Sequence, residues 1–267
     1  MIKEIYINSA NSDVGGSGSS FSITKTQFPF TTVPRKVKLI YAEIPYVWNN
    51  IIASNNSYGL SYTGFTIPTQ YITPGYYTGT TLSTSLQNSL NAALVNTGIT
   101  ATVTYNVSNF KFTISFAGIG QYNLLLDLTV ANSIYLALGL NNQIYTFTSV
   151  NNSITSVGLS VIQNYAEVFV CSNMVEGIDN GIVAWYPGNL PTQTASNSIL
   201  AIIPINTPYG SYIIYYAPDS EPWQTISPNI FNYQNSNSYI NFSLYYKDGT
   251  PVDLQNTNWS AKILFEF

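Results

Sequence analysis

Along most of this 267-residue chain, hydrophobic and polar positions alternate with a period of two, the spacing of strands that cover one face. Residues 36–44 predict a long strand with Val37, Leu39 and Tyr41 on one face and Ile40, Ala42 and Ile44 on the other. Its second half is therefore apolar on both sides, and Pro45 breaks the pattern. Ile5 to Ile7 and the Phe21/Ile23 pair read as further strands, separated by a glycine-serine loop at residues 13–20. Strands follow at residues 166–170, 199–205, 211–217, 239–246 and 259–267, divided by Pro, Gly and Asn clusters. The last of these sets Trp259, Ala261, Ile263, Phe265 and Phe267 against Ser260, Lys262, Leu264 and Glu266, which predicts a strand with a buried face.

The texture changes at about residues 58–150. Leu82, Leu86, Leu90, Ala93 and Leu94 recur at helical spacing, predicting one helix over residues 80–96 with Thr80 or Thr81 as N-cap and Gly98 past its end. A hairpin is expected from residues 101–105 and 110–116, the second strand placing Phe110, Phe112, Ile114 and Phe116 on one face. A short helical turn at residues 133–138 should end at Gly139. This stretch reads as an inserted α+β element containing one long helix within a single domain spanning residues 1–267. No repeat of 20 to 50 residues is visible, so the pattern favours a mainly β fold, a single jelly-roll or Greek-key β-sandwich.

Composition narrows what such a sandwich can do. Only 7% of residues are charged against 45% hydrophobic and 15% aromatic, and Asn, Ser, Thr and Tyr stand in for the missing charges. Neutral hydrogen-bonding side chains suit surfaces that become covered, where a charge would be costly to desolvate. A net charge of −4 lacks the basic footprint of a protein whose main partner is nucleic acid. Apolar runs such as Ile199 to Ile203 are far shorter than a membrane span, and Met1 to Glu4 opens without a secretory h-region, so neither secretion by that route nor membrane insertion is expected. The chain has no histidine, which removes Ser-His-Asp, Cys-His and His-based metal chemistry. Its single cysteine, Cys171, reads as a small buried thiol at a strand end. These features point away from an enzyme, with no catalytic residue, cofactor or metal site expected.

Several segments, taken in order, resemble the penton or minor capsid proteins of virophages and polinton-like viruses. They are Lys38-Leu39-Ile40-Tyr41-Ala42-Glu43-Ile44-Pro45-Tyr46-Val47-Trp48-Asn49-Asn50-Ile51 and Ile72-Thr73-Pro74-Gly75-Tyr76-Tyr77-Thr78 running into the helix, then Leu138-Gly139-Leu140. Ile202-Ile203-Pro204-Ile205 with Pro208-Tyr209-Gly210, and Asp248-Gly249-Thr250-Pro251-Val252-Asp253 through Trp259 to Phe267, complete the likeness. Residues 151–165 and 173–197 have no counterpart in that pattern. The resemblance implies a single jelly roll standing upright in a virion assembled inside the host cell. Five copies would form a homopentameric plug at each icosahedral vertex and contact major capsid protein capsomers. A vertex spike is a further candidate partner. The length also suits one roll plus an insertion better than the two rolls of a double jelly-roll capsid protein.

Three groups of side chains are candidates for other chemistry. Arg35, Lys36 and Lys38, with Lys36 and Lys38 expected to point outward, could face packaged genome or an acidic neighbour, against the plainer reading of a solvated strand end. Glu167, Glu176 and Asp179, Asp219 with Glu221, and Asp248 with Asp253 offer carboxylate pairs of the kind glycoside hydrolysis needs, but Asp248-Gly249 is a turn signal and no calcium-loop spacing occurs. Tyr76, Tyr77, Trp185, Tyr186, Tyr215, Tyr216 and Trp223 could stack on sugars, which makes a glycan-binding attachment or spike protein the alternative to a capsid subunit. Protein interfaces use the same aromatic residues. Sequons at Asn55, Asn106, Asn151, Asn241 and Asn258 are expected to stay unmodified.

Overall fold

The structure is a computed structural model. It describes residues 1–13, 18–24, 27–28, 30, 32–63, 65, 67–162, 165–175, 198–226, 230, 239–246 and 249–267. The chain forms two compact units, Met1–Trp48 with Tyr165–Phe267, and Asn49–Asn164. Strands β1 (Ile2–Asn8), β2 (Ser20–Thr24) and β3 (Lys36–Pro45) open the first unit. The second holds β4 (Ser57–Tyr62), β5 (Gln70–Tyr71), α1 (Gly79–Ala93), β6 (Thr100–Asn106), β7 (Lys111–Ala117), β8 (Leu124–Asp127), α2 (Tyr135–Leu138), β9 (Ile144–Phe147) and β10 (Ser153–Thr155). The first unit resumes with β11 (Glu167–Ser172), β12 (Ser198–Pro204), β13 (Tyr212–Tyr216), β14 (Gln224–Thr225), β15 (Tyr239–Tyr245) and β16 (Ser260–Glu266).

The long strands of the first unit pair antiparallel in two four-stranded arrays, β1-β16-β3-β13 and β2-β15-β11-β12, with β14 added beside β3. Numbered along the chain, the eight long strands run first-eighth-third-sixth in one sheet and second-seventh-fourth-fifth in the other. That interleaving is the jelly roll. Apolar side chains meet between the sheets: Phe21 of β2 lies edge to face with Trp259, the residue that leads into β16, at 5.4 Å, and Phe28, from the connection between β2 and β3, contacts Phe265 of β16 at 6.0 Å. β16 sits between β1 and β3, so its buried Ala261, Ile263 and Phe265 lie at the centre of the roll.

β3 departs from the simple alternation of its sequence. Lys262 pairs with Tyr41 but Ile263 pairs with Leu39, leaving Ile40 as an extra residue bulged out of the ladder. The bulge shifts the phase by one, so Val37, Leu39, Ala42 and Ile44 all turn inward and are buried, while Tyr41 joins the outer face. The apparent two-sided apolar pattern is a one-sided strand with an insertion.

In the second unit, β5-β4-β8-β9 and β10-β7-β6 enclose a core of leucine, isoleucine and phenylalanine with α1. The helix begins one residue before the expected position 80, and its N-cap is Thr78 instead of Thr80 or Thr81, because Thr78 and Thr81 form a reciprocal capping box, Thr78 accepting from the Thr81 N–H and Thr81 from the Thr78 N–H. Leu82, Leu86 and Leu90 are buried. β6 is the last strand of its sheet, and helix side chains replace a further neighbour: Gln87 accepts from the Val103 N–H at 3.0 Å, while Asn91 accepts from the Ala101 N–H at 2.7 Å and donates to its carbonyl at 3.0 Å. Phe110, expected in the second hairpin strand, instead sits in the turn with φ 55 and is exposed, and that strand's buried face is Phe112, Ile114 and Phe116. α2 ends at Gly139, whose φ of 66 suits glycine. A Cβ there would also come within 2.6 Å of the Gly158 carbonyl oxygen.

Candidate interaction surface

Because β16 buries its odd-numbered residues, the even-numbered ones point away from the core and fix the outer face of β1-β16-β3-β13. The strand registers arrange that face in rows. Tyr216, Tyr41, Lys262 and Tyr6 form one row across the four strands, and Ile214, Glu43, Ser260 and Asn8 the next. On the other side of the tyrosine row lie Lys38, Leu264 and Glu4, then Lys36, Glu266 and Ile2. Tyr216 is 73% exposed, Ile2 60%, Tyr6 55% and Tyr212 54%, and Ile214 is exposed beside them. Large apolar and phenolic side chains gathered on one open sheet face are the composition of a surface meant to be covered.

The rings and charges on this face are already organised. Tyr41 and Tyr216 lie with centroids 5.2 Å apart, and the Tyr41 hydroxyl donates to Glu43 Oε2 at 3.2 Å. Burial, reinforced by the Glu43 carboxylate, holds the Tyr41 phenol above its ordinary pKa, so it stays a neutral donor. Lys36 pairs with Glu266 and Lys262 with Glu4, each at 3.3 Å.

Of the three expected basic residues, Arg35 and Lys36 are exposed at the start of β3. Lys38, also expected to point outward, is only 8% exposed: its Nζ donates to the carbonyls of Pro218 at 3.2 Å and Asp219 at 3.4 Å, under the segment that follows β13. Arg35 precedes β3 and Lys36 and Lys38 are alternate positions on it, but the ammonium of Lys38 is turned to main-chain oxygens and no joint basic patch forms from the three.

Beside β13, an open groove of about 470 Å³ is lined by Ile202, Pro204, Asn206, Tyr215, Tyr216 and Glu221, among others. Burial, with the charge of Glu221 behind it, pushes the Tyr215 phenol up to about 12. Tyr215 and Tyr216 are thus brought to one place, whereas Tyr76 and Tyr77 belong to the second unit and Trp223 is half-buried near β14. Glu176, Asp179, Trp185, Tyr186 and Asp248 lie outside the described residues. Among the described residues, no cluster of three or more Cys, Asp or Glu side chains could hold a metal, and no helix is long and apolar enough to cross a membrane. Cys171 is buried in β11, and desolvation alone pushes its thiol up to about 12, far from a nucleophile's range.

Sequence reasoning overlooked the outer face itself. Tyr6, Tyr41, Lys262 and Tyr216 come from four strands whose adjacency no local pattern reports, although the alternation of β16 already separated Lys262 and Leu264 from the core residues.

No protein-family model matches the sequence, and no curated protein matches it. The fold does have a counterpart: a crystal structure of the selenomethionine-labelled mavirus penton protein superposes with a TM-score of 0.51 at 11% sequence identity, covering 99% of this chain and 99% of that one. The mainly β, jelly-roll architecture is therefore shared with a virophage penton protein along the whole length of both chains.

Proposed function

We propose that this protein is a viral structural subunit, a penton or minor capsid protein that forms a homopentameric plug at the five-fold vertices of an icosahedral virion. The observation that carries the reading is the end-to-end likeness of fold to the mavirus penton protein. The scarcity of charge and the open tyrosine-bearing sheet face support it, since both suit a subunit that spends its working life packed against others. On this reading the partners are further copies of the chain and neighbouring major capsid protein capsomers, the location is the capsid vertex after assembly in the host cell, and no reaction is catalysed. Residues 1–267 act as one capsid domain in which Asn49–Asn164 elaborate the link between β3 and β11. Arg35, exposed just before β3, is the basic group available to an acidic neighbour, since Lys36 is paired with Glu266.

Light scattering on the purified chain, with negative-stain images of the same peak, tests this. A particle of five times the 29.4 kDa chain mass with five-fold symmetry is expected; a trimer would overturn the vertex assignment. The glycan-binding alternative rests on the groove beside β13, where Tyr216, Asn206 and Glu221 offer a ring, an amide and a carboxylate. Saturable binding of an isolated chain to one member of a glycan panel, abolished by Tyr216→Ala, would favour it.

A further inference from the structure

We propose that the outer face of β1-β16-β3-β13 is the surface on which a second copy of this chain packs, through an uncharged part of that copy. The inference rests on the capsid-subunit reading and adds to it which face is covered and by what chemistry. The argument comes from how the charges are disposed.

The face carries three lysines and three glutamates, so it is neutral. Each charge is already answered within the chain: Lys36 by Glu266 and Lys262 by Glu4, both at 3.3 Å, Lys38 by the Pro218 and Asp219 carbonyls, and Glu43 by the Tyr41 hydroxyl. An incoming phosphate backbone, anionic lipid or acidic protein would find no surplus cation on these four strands, Arg35 lying before β3, and it would have to break or desolvate these pairs. A basic partner would likewise find no surplus carboxylate.

What fits is a neutral surface that buries exposed apolar area and exchanges hydrogen bonds with phenols. This chain, with 7% charged residues, presents such a surface over most of itself. A ring of copies needs one face of each to meet a different face of the next, so the partner surface need not be this face again.

The test uses the full chain. Its mass is measured by light scattering across a concentration series, for the unaltered protein and for Ile214→Glu and Tyr216→Glu, which put an unanswered charge on the face at exposed positions. Val150→Glu, at an exposed position of the second unit, is the control. Near-UV circular dichroism confirms that each variant is folded.

The unaltered protein and the control should form the same multimer, both outer-face variants should dissociate at least tenfold more readily, and raising salt to about 0.5 M should not dissolve the multimer. If the two outer-face variants assemble like the control, the inference is wrong while the capsid-subunit reading stands. A multimer that dissolves in salt overturns the uncharged partner. An unaltered chain that is monomeric at every concentration overturns the self-packing that both readings require.

Discussion

The indole of Trp259 stands edge to face against the ring of Phe21 at 5.4 Å, so one aromatic contact ties the residue leading into β16, an inner strand of one sheet, to the edge strand β2 of the other. Phe21 in turn stacks on Phe242 at 5.4 Å. Trp259→Ala would empty the largest fully buried side chain among the described residues and should cost about 3–5 kcal/mol, read as a lowered urea midpoint. Trp259→Phe should lose much less, because it keeps a ring there and deletes an indole N–H that is buried without a hydrogen-bond partner.

Lys36 and Lys38 should respond to the same change by very different amounts. Lys38→Met abandons two main-chain carbonyls that a buried ammonium now satisfies, and a loss of about 1–3 kcal/mol is expected, with faster proteolysis of the segment after β13. Lys36→Met removes only a half-exposed ion pair and should change stability by less than about 1 kcal/mol.

Tyr58 is fully buried with its hydroxyl donated to Ser89 Oγ at 2.6 Å; burial raises its pKa from 10.0 to about 12, the Ser89 contact opposing the shift. The folded state favours the neutral phenol. Its contribution is therefore whole below pH 10 and disappears as the pH rises to about 12, an effect on the order of 2 kcal/mol. Denaturant midpoints should fall over that interval, and Tyr58→Phe should flatten the fall. Equal slopes with and without the hydroxyl would refute the assignment.

Cys171 is 6% exposed, and burial carries its thiol from 9.0 to about 12. Alkylation near pH 8 should proceed only through unfolding, so the labelling rate should track the fraction unfolded across a denaturant series. Rapid labelling of the native protein would contradict the buried placement.

Deleting Ile40 removes the bulge of β3 without touching a core side chain. Leu39 and Tyr41 already oppose the adjacent Ile263 and Lys262, so they would join in an unbroken ladder with Val37, Leu39, Ala42 and Ile44 still turned inward. The deletion variant should keep a cooperative thermal transition, whereas deleting Leu39 instead, which takes a core side chain, should not; an unfolded Ile40 deletion would refute the register.

These positions also mark where the sequence was legible. The helix was readable from Leu82, Leu86 and Leu90, and the buried face of β16 from Trp259 to Phe265, because both patterns are local and unbroken. The faces of β3 were misread because one bulged residue shifts the phase of everything after it, and a bulge is visible only against the partner strand. Phe110 was misplaced for a similar reason: as an aromatic residue in phase with Phe112 it looks like core, yet its positive φ puts it in the turn. The outer face was illegible as a unit because its rows join residues as distant as Tyr6 and Lys262. The jelly-roll class survived these errors because many short alternating segments leave few other ways to bury so much apolar surface.

The position of β16 between β1 and β3 has a consequence for when the protein can begin to work. The two earlier strands meet only through it, and the hydroxyl of Ser9 reaches the side chain of Asn258 across 249 residues of chain. During synthesis β3 and β13 can pair early, but β1 cannot join them until residue 266 has cleared the ribosome, so the tyrosine row becomes continuous across four strands only at the end of translation.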